Sequence, residues 1–279
     1  MKAVTETSLE IVQRSGSNLA FALAVLPPAK RDDMRVFYAF CRVADDIADD
    51  LGFTIEERQT ALQHWRELIR GGDILARPGV ETEFVDLVAR KELAPAELEA
   101  IIDGVEMDLT PLRFQTAEDL KRYCYHVASA VGLVSIQLFG YRQPETRVYA
   151  EQLGYALQWT NILRDVGEDA EEGRVFLPLD DLERFGLSES DLLSGKPNAE
   201  RFQALMEYQS SVAQAYYKSA EEALVDADRR SMRSAELMRR IYSGILVKME
   251  AGGYQVFEKR YRLSKPRMIA EFLRAKLIG

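Results

Sequence analysis

Two stretches of this chain carry acidic side chains at a spacing suited to binding a divalent cation. One of them runs from Gln158 to Arg174 and reads QWTNILRDVGEDAEEGR. On an α-helix, at about 100° per residue, one stripe of this stretch holds two amides and two carboxylates. These are Gln158, Asn161, Asp165 and Asp169. Apolar residues flank the stripe, so we expect a buried helix, in which carboxylates are costly unless a cation pairs with them.

The other stretch, residues 38–50, repeats the pattern in the sequence YAFCRVADDIADD. One helical face carries a phenol, a guanidinium and two carboxylates, and a third carboxylate lies about 100° away. In that order the residues are Tyr38, Arg42, Asp45, Asp49 and Asp46. Two such helices favour a site for Mg²⁺, which takes oxygen ligands and is commonly shared with a substrate phosphate. In the alternative interpretation, the acidic residues form solvated helix faces or interact with helix dipoles. This interpretation could explain either stretch alone, but it explains the presence of both less well.

Composition limits the functions to consider. The net charge of -9 argues against nonspecific binding of nucleic acid. Cys41 and Cys124 lie in apolar helical patterns and are expected to be buried thiols, as in a reducing cytoplasm. His64 and His126 are too few and too far apart for a zinc site. We find no apolar run long enough to span a membrane and no secretory signal, so we expect a cytoplasmic protein.

The pattern along the chain predicts an all-α protein. No segment shows a sustained alternation of β-branched residues, and no linker separates two parts. We therefore predict a single domain, residues 1–279, with helices around a central apolar cavity. Its long helices include residues 29–50, 199–226 and 233–260, and Pro144 opens the helix that leads into the second acidic stretch.

Two further segments have two interpretations each. The sequence around Ser17 and Asn18 is small and polar, and it either contacts a phosphate or caps the next helix. The helix that contains residues 123–138 is rich in small residues, which either allow close helix packing or leave room for a ligand. In the second case Tyr125, Val131 and Leu133 would form the wall of an apolar tunnel.

The two acidic stretches, with YCYHVASAVG between them, resemble the motifs of the squalene/phytoene synthase family. Their order and spacing also match, and the resemblance extends over nearly the whole chain. It implies an all-α isoprenoid synthase fold and a prenyltransferase that joins two allylic isoprenoid diphosphates head to head through a cyclopropylcarbinyl diphosphate. The C-terminal sequence is similar to bacterial presqualene diphosphate synthases of hopanoid biosynthesis, although phytoene synthases end in a similar way.

The resemblance also implies roles for individual residues. Five aspartates would form the Mg²⁺ site between the diphosphates, and one of them, Asp46, would support the other four. These residues are Asp45, Asp46, Asp49, Asp165 and Asp169. In the catalytic group, arginines would bind diphosphate oxygens, and tyrosines would lie near the diphosphates and the carbocation. This group consists of Tyr38, Arg42, Tyr125, Arg164 and Tyr242. The substrate-binding group is Ser17, Asn18, Val131, Gln158, Asn161 and Arg174. The tyrosines have an alternative role as cavity wall, and Asn18-Leu19 departs from the Ser-Phe that family members often carry.

The favoured reaction converts farnesyl diphosphate to presqualene diphosphate, with continuation to squalene as its extension. The alternative is phytoene or dehydrosqualene synthesis, and NADPH would be needed only if the reaction proceeds to squalene. A head-to-tail prenyltransferase or a terpene cyclase is disfavoured because the second motif of those enzymes is built differently. A non-catalytic assembly-factor relative is disfavoured because every motif carboxylate is present. Expected partners are isoprenoid diphosphates, pathway enzymes and, transiently, a membrane surface, which no sequence signal supports.

Overall fold

The computed structural model describes residues 5–15 and 23–277, so Ser17 and Asn18 lie outside the described residues. Within these ranges the chain forms helices and no β-strand, which confirms the predicted all-α class. The α-helices are α1 (Ser8–Ser15), α2 (Pro28–Asp49), α3 (Ile55–Ile69), α4 (Val80–Lys91), α5 (Pro95–Met107), α6 (Ala117–Cys124), α7 (Ala130–Phe139), α8 (Glu145–Glu171), α9 (Leu179–Arg184), α10 (Glu189–Leu193), α11 (Ala199–Ala223), α12 (Arg233–Ala251) and α13 (Lys265–Leu277). The single-domain organisation stays a prediction.

The end of α2, which carries the first acidic stretch, is fixed by the start of α3. Thr54 and Glu57 form a capping box, in which the Thr54 hydroxyl accepts the Glu57 N–H at 3.2 Å and the Glu57 carboxylate accepts the Thr54 N–H at 2.8 Å. Arg58, in the next turn, donates to the carbonyl of Ala48 at 2.6 Å. This bond satisfies a carbonyl in the last turn of α2 and holds the helix end in place.

The segment between the acidic helices has a π-helical turn, Tyr125–Ser129, between α6 and α7. Its small residues allow close helix packing. A Cβ atom added to Gly154 of α8 would lie 2.5 Å from the Cα atom of Ser129, and the Ser129 hydroxyl donates to the Glu151 carbonyl at 2.8 Å. Leu133 is 3 % exposed and belongs to the hydrophobic core. The structure therefore shows close packing along this helix, with Leu133 in the core, and the ligand-lining interpretation stays a prediction.

Buried polar side chains connect α8, α9 and α11. The Trp159 indole donates to Gln209 at 2.9 Å, and the Gln209 amide donates to Asp181 at 2.8 Å. Trp159 and Gln209 are almost fully buried, and an unpaired amide or carboxylate at this depth would be costly. The chain of bonds therefore fixes the turn after α8, which includes Arg174, relative to the helix that carries the second acidic stretch.

The C-terminal part differs from the prediction of one helix over residues 233–260. Helix α12 ends at Ala251 because Gly252 and Gly253 form a turn, with Gly253 at φ +63°, a conformation that glycine adopts readily. The following residues fold back against α8, where a Cβ atom on Gly167 would lie 2.3 Å from the Val256 carbonyl oxygen. The glycine of the DVGED motif thus permits this close approach. Helix α11 similarly ends at Ala223, earlier than the predicted residue 226.

A continuous hydrophobic cluster runs between the helices. Part of it is an aromatic group from α2, α3 and α4, in which the Phe40 and Phe84 rings stack with centroids 4.3 Å apart and Trp65 meets both edge-on. Both cysteines are free; Cys124 is buried, whereas Cys41 is only partly buried. Among the described residues, no helix is long and apolar enough to cross a membrane.

Candidate active site

The carboxylates of α2 are only partly neutralised by neighbouring side chains. Arg42 pairs with Asp46 one turn away, and its guanidinium lies 3.7 Å from a carboxylate oxygen of Asp45. Arg14 also approaches Asp46, to 3.5 Å. The Asp45 side chain is 49 % exposed, and Asp49 is exposed as well. Two arginines therefore hold Asp46, while the Asp45 and Asp49 carboxylates remain accessible.

The carboxylates of α8 are more enclosed and are held by arginines. Arg164 contacts Asp165 in a bidentate manner, at 2.8 and 2.5 Å, and Arg260 approaches the same carboxylate to 3.2 Å. Asp169 lies 3.2 Å from Arg174. The side chains of Asp165 and Asp169 are 20 % and 14 % exposed. The charge of each carboxylate is thus met by a guanidinium in this conformation.

Asp108 and Tyr123 connect the two acidic helices. Asp108 follows the last residue of α5, and its carboxylate accepts a hydrogen bond of 3.1 Å from the Tyr123 hydroxyl. Burial raises the pKa of Asp108 to about 6, Asp49 adds to the rise, and the Tyr123 bond and Arg174 oppose it. The pKa of Tyr123 is raised by burial, then by the charges of Asp108 and Asp169. Groups from both acidic helices therefore act electrostatically on one Asp108–Tyr123 pair, which lies near both stretches.

Two motif carboxylates have raised pKa values, chiefly because of burial. Burial raises the pKa of Asp45 to about 7; Arg42 opposes the shift and three neighbouring carboxylates add to it. Half of the Asp45 side chain still meets water, so this carboxylate does not lie in the core. Burial also raises the pKa of Asp169 to about 6, despite the charge of Arg174. Such a site favours the binding of a cation.

The amides of the second stretch add oxygen ligands to the site. The Asn161 amide donates to the Gln158 side chain at 3.4 Å, whereas the Asn161 Oδ1 atom is buried and has no hydrogen-bond partner among the described residues. A buried oxygen without a donor is costly unless a ligand or ion satisfies it. Together with Asp165 and Asp169 it forms the set of hard oxygen donors that Mg²⁺ prefers. Within the described ranges, no three acidic, His or Cys side chains converge closely enough to hold a metal ion in this conformation.

The structure places the predicted tyrosines in different surroundings. Tyr242 of α12 lies beside Arg164, and Tyr38 is partly buried on α2, one turn before Arg42. The pKa of Tyr125 is raised by burial, then by the charges of Glu151 and Glu97. Neither glutamate belongs to the acidic stretches. Tyr123 contacts Asp108, whereas the charges that act on Tyr125 come from outside the acidic stretches. The catalytic role of Tyr125 therefore stays a prediction.

A small cavity of about 10 Å³, room for about one water molecule, adjoins the second acidic stretch. Asp169 and Arg174 lie at its polar end, and its other walls are apolar. These are formed by Ile162, Val166, Val175, Phe176, Leu177 and Leu192. A second cleft, of about 40 Å³, is lined by residues of α12, α13 and the segment before α12 and includes none of the motif residues. The chemistry of the side chains, and not cavity size, therefore locates the candidate site. Val131 is partly buried and lines neither space.

Sequence reasoning missed three residues of this site. Asp108 lies outside both acidic stretches, just after α5, and only the tertiary structure brings it to them. Tyr123 precedes the π-helical turn, which breaks the regular 100° spacing that would relate it to residues further along the helix. Arg260 was assigned to the last position of a helix predicted over residues 233–260. The glycine pair at residues 252–253 was the available signal that the helix ends earlier.

The sequence from residue 12 to residue 267 matches the model of the Squalene/phytoene synthase family. The chain belongs to this family. It is 34% identical over 275 residues to a presqualene diphosphate synthase of Zymomonas mobilis, covering 98% of this chain and 94% of the relative. It is 37% identical over 274 residues to a 15-cis-phytoene synthase of Synechocystis, covering 91% of this chain and 80% of the relative.

Solved structures of related enzymes agree with the fold. A dehydrosqualene synthase in complex with a ligand superposes with a TM-score of 0.81 at 27% identity, over 97% of this chain and 94% of the other. A squalene synthase of Alicyclobacillus acidocaldarius has the same fold, with a TM-score of 0.81 at 24% identity, over 88% of this chain and 93% of the other. The family assignment makes this chain a prenyltransferase, and the substrates of its family are isoprenoid diphosphates joined head to head.

Proposed function

We propose that this enzyme joins two molecules of farnesyl diphosphate to presqualene diphosphate, releasing one diphosphate and one proton. The observation that supports this most is that charged groups of two aspartate-rich helices, Asp49 on α2 and Asp169 on α8, both act on the bonded pair of Asp108 and Tyr123. Two diphosphate groups must be bound in this reaction, and each acidic helix offers carboxylates for one of them. The choice of product rests on the similarity to a presqualene diphosphate synthase over 94% of that protein's length.

The arginines of the site bind and orient the diphosphates. Arg164 and Arg174 are already aimed at motif carboxylates, and Arg42 lies on the opposite acidic helix. A guanidinium offers paired donors that match diphosphate oxygens. Burial lowers the pKa of Arg164, but Asp165 and Tyr242 outweigh it and raise the pKa, so this residue stays charged. Tyr38 and Tyr242 stand near Arg42 and Arg164 and would orient the same groups.

The donor set fits Mg²⁺, the metal on which this family generally depends. Asp45, Asp49, Asp165 and Asp169 would hold it, with Asn161 Oδ1 and Gln158 oriented toward a diphosphate or a metal-bound water. When bound, the metal would stabilise the negative charge that develops on the leaving diphosphate. Asp46, which two arginines engage, would support the ligands and not bind directly.

The apolar walls beside Asp169 exclude water from the reacting carbons. The side chains of Ile162, Val166 and Phe176 offer no nucleophile, which matters because water would quench an allylic cation. Tyr123 keeps its proton because its pKa is raised by burial and by Asp108. A neutral phenol held in this position donates to Asp108 and is available to face the cation without adding a charge. Ser17, Asn18 and Val131 stay predictions as further substrate contacts.

Product analysis tests the proposal. The purified protein is incubated with Mg²⁺ and either farnesyl or geranylgeranyl diphosphate, with and without NADPH, and the lipids are identified by mass spectrometry. Presqualene diphosphate from the C15 substrate, with or without NADPH, is the expected result. Squalene formed only with NADPH would extend the reaction by one reductive step.

Phytoene synthesis is the second candidate, because the cyanobacterial 15-cis-phytoene synthase is 37% identical. In the same experiment, phytoene from the C20 substrate and no product from the C15 substrate would replace the first proposal by this one. No product from either substrate, with helical content intact, would contradict both.

A further inference from the structure

The outward face of α13 is apolar. The helix packs against α12, with Ala275 buried and Phe272 packed against the core. Ile269 and Leu273, one turn apart on the opposite face, are 53 % and 54 % exposed. Pro266 and Ala270 lie on the same outward face and are exposed too. Large apolar side chains one helical turn apart form a continuous strip, and leaving such a strip in water is unfavourable.

Basic residues border this strip on both sides. At about 100° per residue, two basic positions lie about 70–90° to one side of its centre and two lie about 90–110° to the other. They are Lys265 and Lys276 on one edge, and Arg274 and Arg267 on the other, all exposed. The Lys276 ammonium lies 4.8 Å from the centroid of the Phe272 ring. Long side chains in these positions can keep an apolar stem beside the strip and a charged end in water.

Charge is strongly segregated along the chain. Residues 259–277 contain seven basic residues and one acidic residue, a net charge of +6, in a chain whose net charge is -9. The remainder of the chain is therefore strongly acidic. Packing of α13 against α13 of a second copy would bring two such positive segments together, which disfavours self-association through this face.

We propose that α13 docks on an anionic lipid bilayer, with Ile269 and Leu273 at the level of the acyl-chain boundary and the flanking lysines and arginines among the headgroups. A helix with an apolar strip between two basic edges is suited to lying in the plane of a membrane interface. The negative leaflet attracts this +6 segment of a chain whose remainder is acidic.

The docking helix lies close to the active site along the chain. Arg260, which pairs with Asp165 and Glu168, precedes the first residue of α13 by five residues. Even a fully extended segment of that length spans at most about 18 Å. Docking of α13 would therefore hold the segment that closes over Asp165 near the bilayer. The inference does not depend on which prenyl diphosphate the enzyme uses.

Vesicle flotation tests this inference. The full chain is mixed with vesicles of phosphatidylcholine alone or of phosphatidylcholine with phosphatidylglycerol, at low and high salt, and the bound fraction is measured. We expect binding to the anionic vesicles only, weakened by salt. R274Q with K276Q should lower the partition coefficient about thirtyfold, since each basic residue near the surface contributes about a fivefold factor. I269S with L273S should lower it at least about tenfold, because the apolar strip is lost.

Matched substitutions elsewhere serve as controls. R122Q with K218Q makes the same change of charge at exposed positions, and L51S with L75S makes the same change of hydrophobicity at exposed positions. Both should leave binding unchanged, and circular dichroism checks that every variant is folded. Absence of wild-type binding to the anionic vesicles, or equal loss in the control variants, would overturn the proposal. A dimer in sedimentation that I269S with L273S dissociates would assign the strip to a second copy instead.

Discussion

The two acidic stretches share a sequence spacing but differ in how their charges are balanced. On α2, Asp45 is half exposed, its pKa is about 7, and neighbouring carboxylates add to that rise. On α8, Asp165 is 20 % exposed and lies between the guanidinium groups of Arg164 and Arg260. Equal spacing of aspartates therefore does not give equal electrostatics. Asp165 of α8 is neutralised by protein cations, whereas Asp45 of α2 depends more on a proton or a bound cation.

The largest expected effect is on product formation, and it tests whether both stretches contribute to one metal and diphosphate site. D49N on α2 and D169N on α8 should each lower product formation at least about 100-fold, because each removes a charge from the proposed metal and diphosphate site. D50N and E171Q, at exposed positions next to the motifs, are the matched controls and should retain activity. If only one of the two motif variants lost activity, the stretches would not form one site.

The pH dependence of stability sharpens the contrast in charge. In the metal-free protein Asp169 holds its proton to about pH 6, whereas the unfolded chain loses it near pH 3.9. The free energy of unfolding should therefore fall as pH rises from about 4 to 6, by at most about 3 kcal/mol from this residue. Asp45 extends the fall to about pH 7. Urea denaturation in EDTA across this range measures it, and a free energy that rises with pH over the same interval would contradict the assignment.

Opposite effects of one substitution are expected in the two stretches. At pH 8 without metal, D165N should lower the free energy of unfolding by about 2 kcal/mol, because it leaves Arg164, at 13 % exposure, without its partner. D45N should raise it by up to about 1 kcal/mol, a value reduced by solvent screening, because it relieves repulsion among carboxylates. Effects of the same sign would show that the stretches are electrostatically alike.

The smallest effect concerns Arg260, which encloses the α8 stretch. R260Q should lower the free energy of unfolding by about 0.5 kcal/mol, since its pairs with Asp165 and Glu168 are partly exposed. The substitution should also leave the Asp165 carboxylate more exposed to solvent, and so more like the Asp45 carboxylate of α2. R262Q, in the same segment, is the control. Thermal unfolding in EDTA provides the measurement, and an equal change in both variants would argue against a specific role of Arg260.

Much of the fold followed from the sequence because local signals were strong. Pro144 and the Thr54–Glu57 capping box mark helix starts that the structure shows within a residue. The end of α12 was missed because its helical periodicity was followed through the glycine pair at 252–253, where the backbone turns. That error hid the segment that brings Arg260 to α8.

The candidate site was predictable where its residues share a helix, and not where they meet only in three dimensions. The i, i+4 spacing placed Asp165 with Asp169 on one face of a helix. No local pattern relates Asp108 to either stretch, since its position depends on how α5 packs. A regular helical wheel also fails across the π-helical turn, so it does not relate Tyr123 to residues further along the helix. Tyr125 was singled out through the family resemblance instead.

The most direct test asks whether the two stretches form a single site. Thermal unfolding is measured for the wild type, D49N, D169N and the control D50N, without ligand and with Mg²⁺ and inorganic diphosphate together. A ligand that binds only the folded state raises the melting temperature. We predict a clear increase for the wild type and D50N, and none for either motif variant. An increase that persists in D49N or in D169N would contradict a shared metal–diphosphate site.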